Sequence, residues 1–137
     1  MMKKKKNNKG FSLVELIVVI AIMAVLVGVL APQFIGYVAK SKVSTDLQNA
    51  DSLKSAVEIA IAEADSASTA TVTVNGSGKT ITVAGTGLTF AVSSVSLKAT
   101  WSDGAYTYSA STGWATTTDS TTTDVTPNHQ LSEVFTN

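Results

Sequence analysis

Residues 9–41 read KGFSLVELIVVIAIMAVLVGVLAPQFIGYVAKS, and this stretch decides the fold. From Leu16 to Ala31 run sixteen uncharged, almost wholly apolar residues. Counted from Phe11 the run has twenty-one, interrupted by Ser12 and Glu15. As a helix it is roughly 30 Å long, the thickness of one bilayer hydrocarbon core. Before it lies a basic polar leader in which Lys3, Lys4, Lys5, Lys6 and Lys9 place +5 on ten residues. The positive-inside rule keeps these lysines cytoplasmic and sends the C-terminal part outward.

The whole chain has 137 residues with a formal net charge of zero, which hides an asymmetry: Phe11 to Asn137 carries −5. There is no Arg and no Cys, and the single histidine is His129. A disulfide framework, a thiolate metal site and a Cys nucleophile are thereby excluded. The composition disfavours an enzyme, calls for no cofactor or metal, and argues against direct nucleic-acid binding by one subunit. No Gly-rich phosphate loop with Lys-Ser/Thr is present.

Three uses of the apolar segment compete: a cleaved secretory signal, a plain membrane anchor, and a helix with a further task. The A-x-A-like tripeptide Val29-Leu30-Ala31 is followed by Pro32, a poor substrate for signal peptidase. A plain anchor leaves Glu15 unexplained, because a carboxylate inside an apolar run costs a few kcal/mol near the bilayer centre and asks for a partner.

Lys9-Gly10-Phe11-Ser12-Leu13-Val14-Glu15-Leu16 closely resembles the processing site of type IV prepilins and pseudopilins, and the resemblance extends to Ser41. It implies that a prepilin peptidase cuts between Gly10 and Phe11 and that Phe11 is N-methylated. It also implies that Glu15 pairs with the Phe11 amine of a neighbouring subunit. Such a pair at about 4 Å is worth roughly 4 kcal/mol at an effective dielectric near 20. Glu15 could instead pair with its own Phe11 amine or sit neutral near the interface. Pro32 lacks the N–H that would bond Gly28, so a bend or opening is expected there, which the resemblance makes a loss of helical order in the filament.

Beyond Pro32, Phe34, Val38, Val43, Leu47, Ala50, Leu53, Val57, Ile61 and Ala64 recur at spacings of mostly three or four, with Asp46, Asp51, Lys54 and Glu58 between them. This predicts an amphipathic helix to about Ser66. From residue 66 onward, 29 of 72 residues are Ser or Thr, and period-two alternation takes over. Val72/Val74 and Ile81/Val83 flank Asn75-Gly76-Ser77-Gly78-Lys79 as a hairpin; Leu88–Val92, Val95–Trp101 and Ala105–Tyr108 alternate as further strands.

The expected fold is α+β: a long N-terminal α-helix on a small antiparallel sheet. Its parts are a leader (1–10), a transmembrane and filament-core helix (11–31), an amphipathic outer half (32–66) and a β-rich head (67–137). Tyr106, Tyr108 and Trp114 read as cross-strand packing or as a glycan platform. Residues 116–124, TTTDSTTTD, read as an exposed loop that could be glycosylated or hold a cation through Asp119 and Asp124. Many members of the family close their C-terminal loop with a disulfide; this chain must use hydrogen bonds, an ion or subunit contacts. His129 is expected on an exposed tail.

The resemblance implies a structural subunit of a surface filament serving adhesion, motility or DNA uptake. Its partners would be other copies of the chain, the prepilin peptidase, an assembly ATPase, a platform membrane protein and, for retraction, a second ATPase. It would sit in the cytoplasmic membrane before assembly and on the cell surface after. A pseudopilin of a secretion or competence machine, and a binding module anchored by one helix, are the alternatives.

Overall fold

The computed structural model describes residues 10–64 and 68–137. The leader lysines Lys3, Lys4, Lys5, Lys6 and Lys9 lie outside the described residues, as does the expected helix-to-head boundary at 66/67. Helix α1 runs from Leu13 to Glu63, 51 residues. The chain forms two units, one ending at Ile35 and one spanning Gly36–Asn137, and α1 contributes to both.

In the first unit α1 buries none of its most apolar window, whose mean hydropathy is 3.1. By length and composition it can cross a membrane. Helical assignment continues through Gly28 and Pro32 without interruption. The opening expected there is thus not a feature of the single subunit.

In the second unit α1 lies along a five-stranded antiparallel sheet in an α+β arrangement, the class expected. Strands β1 (Thr69–Asn75), β2 (Thr80–Ala84), β3 (Ser94–Ser96), β4 (Gly104–Ser109) and β5 (Gly113–Thr118) are ordered β3-β2-β1-β4-β5. The register pairs Val72 with Val83 and Tyr106, and Val74 with Ile81. Alternation then puts Ala70, Val72, Val74, Ile81, Val83 and Tyr106 in the core and threonines 69, 73 and 82 in solvent. From the helix come Val43, Ala50, Leu53, Val57 and Ile61. Phe34 and Val38, expected on the same stripe, are not buried.

Asp46, read from the sequence as part of the polar set, is fully buried. Its carboxylate accepts hydrogen bonds from the Lys98 N–H (2.7 Å), the Ala99 N–H (2.8 Å) and the Trp101 Nε1–H (2.9 Å). This explains why the alternation from Val95 to Trp101 yields only the three-residue β3. Past Leu97, whose N–H still reaches the Lys79 carbonyl at 2.8 Å, the Lys98 and Ala99 donors turn to Asp46 and leave the ladder. The Leu88–Val92 alternation forms no strand either. The outer edge of β2 is taken by β3, and Leu88, Phe90 and Val92 pack on the core from irregular backbone.

The hairpin forms as expected. Asn75 Oδ1 accepts the Gly78 N–H at 2.7 Å, and the Gly76 N–H donates to Asp103 Oδ1 at 2.8 Å. A Cβ on Gly76 would collide with the Trp101 carbonyl, so the turn must be glycine to seat on the 101–103 loop.

The Thr-rich segment is not an exposed loop. Its first part is β5, and Thr121–Thr122 forms β6, pairing with β7 (His129–Gln130). Ser120 and Thr122 are fully buried. Thr/Ser composition imitates a solvated loop, but β-branched threonine is also a strand former. Both carboxylates serve the head: Asp124 accepts the Thr100 N–H at 2.7 Å, and Asp119 accepts the Tyr106 hydroxyl (2.6 Å) and the Ser132 hydroxyl (2.7 Å). The second of these ties β4 to a short 3-10 turn, Leu131–Glu133. Hydrogen bonds therefore close the C-terminal region. His129, expected on a free tail, lies in β7 with Nδ1 3.1 Å from Glu133 Oε2.

The aromatics pack. Tyr108 and Trp114 are cross-strand partners with ring centroids 4.9 Å apart, and Phe135 stacks against Tyr106 and Trp114 at 4.8 and 5.0 Å. Trp114, 7% exposed, also donates its Nε1–H to Glu58 Oε1 on α1 at 2.8 Å. Inward packing leaves these rings no glycan platform.

Burial pushes the Tyr106 hydroxyl above the usual tyrosine range, and its bond to Asp119 pushes it further. For Asp119, burial acts upward, but hydrogen bonds from Tyr106, the Ser132 side chain and N–H, and the Ser120 N–H outweigh it and hold the carboxyl below its ordinary value. A carboxyl lowered on folding contributes stability above its unfolded pKa, and that contribution is lost as pH falls through the folded pKa. Tyr106→Phe removes one of these donors. The variant should be less stable than the parent at neutral pH, with a smaller further loss between about pH 5 and pH 2. Chemical denaturation of the full chain in detergent at the two pH values checks this.

Candidate processing and assembly site

The helix starts two residues after the expected junction. Gly10 and Phe11 lie outside α1, exposed, with Phe11 at 93% and open space around the Gly10 Cα. A peptidase needs an accessible peptide, and this one is exposed.

Ser12 sets the helix start. Its carbonyl accepts the Leu16 N–H at 3.2 Å, and its hydroxyl accepts the Glu15 N–H at 3.3 Å. Glu15 Oε2 in turn accepts the Ser12 N–H at 3.0 Å. This is a capping box, with Ser at the N-cap and Glu at the third helical position. The sequence carries its signal, Ser-x-x-Glu at the head of an apolar run, and the cost of a carboxylate in that run does not reveal it. In the uncut chain the Phe11 nitrogen belongs to a peptide bond, and Glu15 bonds the Ser12 N–H.

The cap and an intersubunit pair are compatible, because a carboxylate offers about four acceptor positions and the cap uses one. Phe11, Glu15, Leu16 and Val19 line one groove of about 420 Å³. Phe11 and Glu15 of one chain thus border the same apolar surface. Cutting at Gly10-Phe11 would leave the Ser12 N–H and the cap in place. It would add an amine one residue before the cap.

Around the site, Leu13, Val14, Leu16, Ile17, Val18, Val19 and Ile20 are all exposed. Burying such side chains is worth about 1.5–3 kcal/mol each. One isolated helix cannot bury them, so the surface calls for lipid or for other helices. Among the described residues no three His, Asp or Glu side chains gather as a metal site.

The prokaryotic N-terminal methylation motif matches residues 5–31. The chain is similar to a Pseudomonas aeruginosa fimbrial protein, 40% identical over 58 residues, covering 42% of this chain and 38% of that one. It is similar to a Dichelobacter nodosus type IV major fimbrial protein FimA at 35% over 57 residues, covering 42% and 36%. A Clostridium perfringens prepilin peptidase-dependent protein A is 43% identical over 60 residues, 43% of each chain. The chain thus spans about two-fifths of the length of the curated relatives it matches. No solved structure gives a significant match. By its methylation motif and these fimbrial relatives, the N-terminal part of the chain is similar to that of type IV fimbrial proteins.

Proposed function

We propose that this protein is the structural subunit of a type IV pilus-like surface filament. The observation that carries the reading is the exposed apolar helix, opening on an exposed Gly10-Phe11 peptide with one carboxylate in its first turn. Its work is assembly.

The leader lysines hold the N-terminus in the cytoplasm, and residues 11–31 lodge in the membrane with the head outside. A prepilin peptidase removes residues 1–10 and Phe11 is N-methylated. Other copies then cover the apolar helix, and Glu15 meets the Phe11 amine of the next subunit. Gly28 and Pro32 mark the stretch that opens in the assembled fibre. Pro32 cannot donate to Gly28, and glycine holds helix weakly, so helix is least costly to lose here. An assembly ATPase and a platform membrane protein supply the energy and the scaffold.

Peptide mass spectrometry on protein sheared from the cell surface, compared with the membrane fraction, tests this. Sheared protein is expected to begin at N-methylated Phe11. Methylated Phe11 found solely in the membrane fraction would move the protein to the pseudopilins. An uncut N-terminus in both fractions would overturn the reading in favour of an anchored module.

A further inference from the structure

The chain contains one Asn-Gly pair, Asn75-Gly76, at the β1–β2 turn. Asn-Gly peptides are chemically labile. The following nitrogen, on losing its proton to base, attacks the side-chain Cγ. A C–N bond forms, the side-chain amide leaves as ammonia, and water opens the resulting five-membered imide to aspartate or isoaspartate. Glycine makes this fast because it has no Cβ to crowd the attacking nitrogen.

In this head the attacking nitrogen is engaged. The Gly76 N–H donates to Asp103 Oδ1 at 2.8 Å, a charge-assisted bond to a carboxylate on the β4 side of the sheet. Removing that proton would place a nitrogen anion against a carboxylate. Gly76 is buried under the Trp101–Ser102 backbone, while Asn75 is exposed and paired with Thr80 in the β1–β2 ladder. The side chain of Asn75 is held toward the far side of the turn, where Oδ1 accepts the Gly78 N–H at 2.7 Å and the Ser77 hydroxyl at 3.0 Å. Asp103 thus holds the nucleophilic N–H, and the Gly78 and Ser77 donors fix the rotamer of the side chain it would attack.

We propose that Asn75-Gly76 is a spontaneous modification site of the head, and that Asp103 keeps it closed. The inference stands on the turn alone and is independent of the filament reading. Opening it would convert an amide into a carboxylate beside Asp103 and break the Asn75 contacts that shape the hairpin.

The test is the deamidation rate at Asn75 in the full chain, incubated in detergent at mildly alkaline pH and read by peptide mass spectrometry, with Asn128 as internal reference. Native protein is expected to deamidate at Asn75 roughly tenfold or more slowly than the same chain in guanidinium, the factor that loss of a charged hydrogen bond implies. Asp103→Ala, with its head shown folded by circular dichroism, is expected to recover most of that factor. Should Asp103→Ala not fold, Asp103→Asn, which keeps an acceptor but no charge, is expected to fall between parent and denatured chain. Equal rates in native and denatured parent would overturn the proposal. So would a folded Asp103 variant no faster than the parent.

Discussion

A subunit carrying Glu15→Ala inserts in the membrane, is cut after Gly10 and gives no sheared filament. Two losses contribute, and they differ in size. The capping box disappears, costing about 1 kcal/mol at an exposed helix end. The proposed partner of the neighbouring Phe11 amine also disappears, leaving a cation in an apolar bundle at a cost of several kcal/mol. Two further variants separate the terms. Ser12→Ala removes the hydroxyl that receives the Glu15 N–H at 3.3 Å but keeps the carboxylate, so filaments persist in reduced number. Glu15→Gln keeps an oxygen for the Ser12 N–H and loses the charge, so filaments are absent. Quantifying sheared protein by immunoblot reads all three. Normal piliation in Glu15→Gln would show that the carboxylate serves the cap alone.

Asp46→Ala destabilises the head by about 3 kcal/mol or more, because three donors lose their acceptor at once and unsatisfied buried polar groups cost about 1–3 kcal/mol each. A domain of this size should melt at least about 10 °C lower. Asp46→Asn keeps the volume and one acceptor oxygen but turns an NH2 group toward donors, and falls between. Thermal denaturation of the full chain in detergent, followed by tryptophan fluorescence, reports the change through Trp101 itself, whose Nε1–H binds this carboxylate. An unchanged midpoint in Asp46→Ala would mean that water replaces the acceptor and that the buried carboxylate contributes little.

The N-terminal half was legible because its signals are local. An uninterrupted apolar run, an adjacent lysine cluster and a Gly-Phe junction need no tertiary partner to be understood. The hairpin at Asn75–Lys79 was legible for the same reason. The misread residues are those whose environment comes from far along the chain. Asp46 meets donors 52 to 55 residues away. The spacing from Val43 through Asp46 to Ala50 and Leu53 did place it on the buried stripe, but its charge argued the other way. Asp119 looked solvated because Thr-rich neighbours resemble a loop, whereas Tyr106 and Ser132 bond it; Asp124 is exposed, yet it holds the Thr100 N–H. Leu88–Val92 has the alternation of a strand, but the neighbouring edge of β2 is taken by β3. In the candidate site, Glu15 was found through its cost in an apolar run, and Ser12 was missed because a cap was not sought there.

The way residues 129–137 complete the head bears on how the protein matures. Leu131 and Phe135 are fully or almost fully buried, Lys54 Nζ holds the Thr136 carbonyl at 2.8 Å, and Asn137 Oδ1 receives the Trp114 N–H at 2.6 Å. Without residues 129–137 in place, the sheet lacks its aromatic plug and Asp119 lacks Ser132. Closure then takes no disulfide-forming oxidant, since no cysteine is present. Docking of this segment is therefore the step that completes the head, in reducing and oxidising surroundings alike.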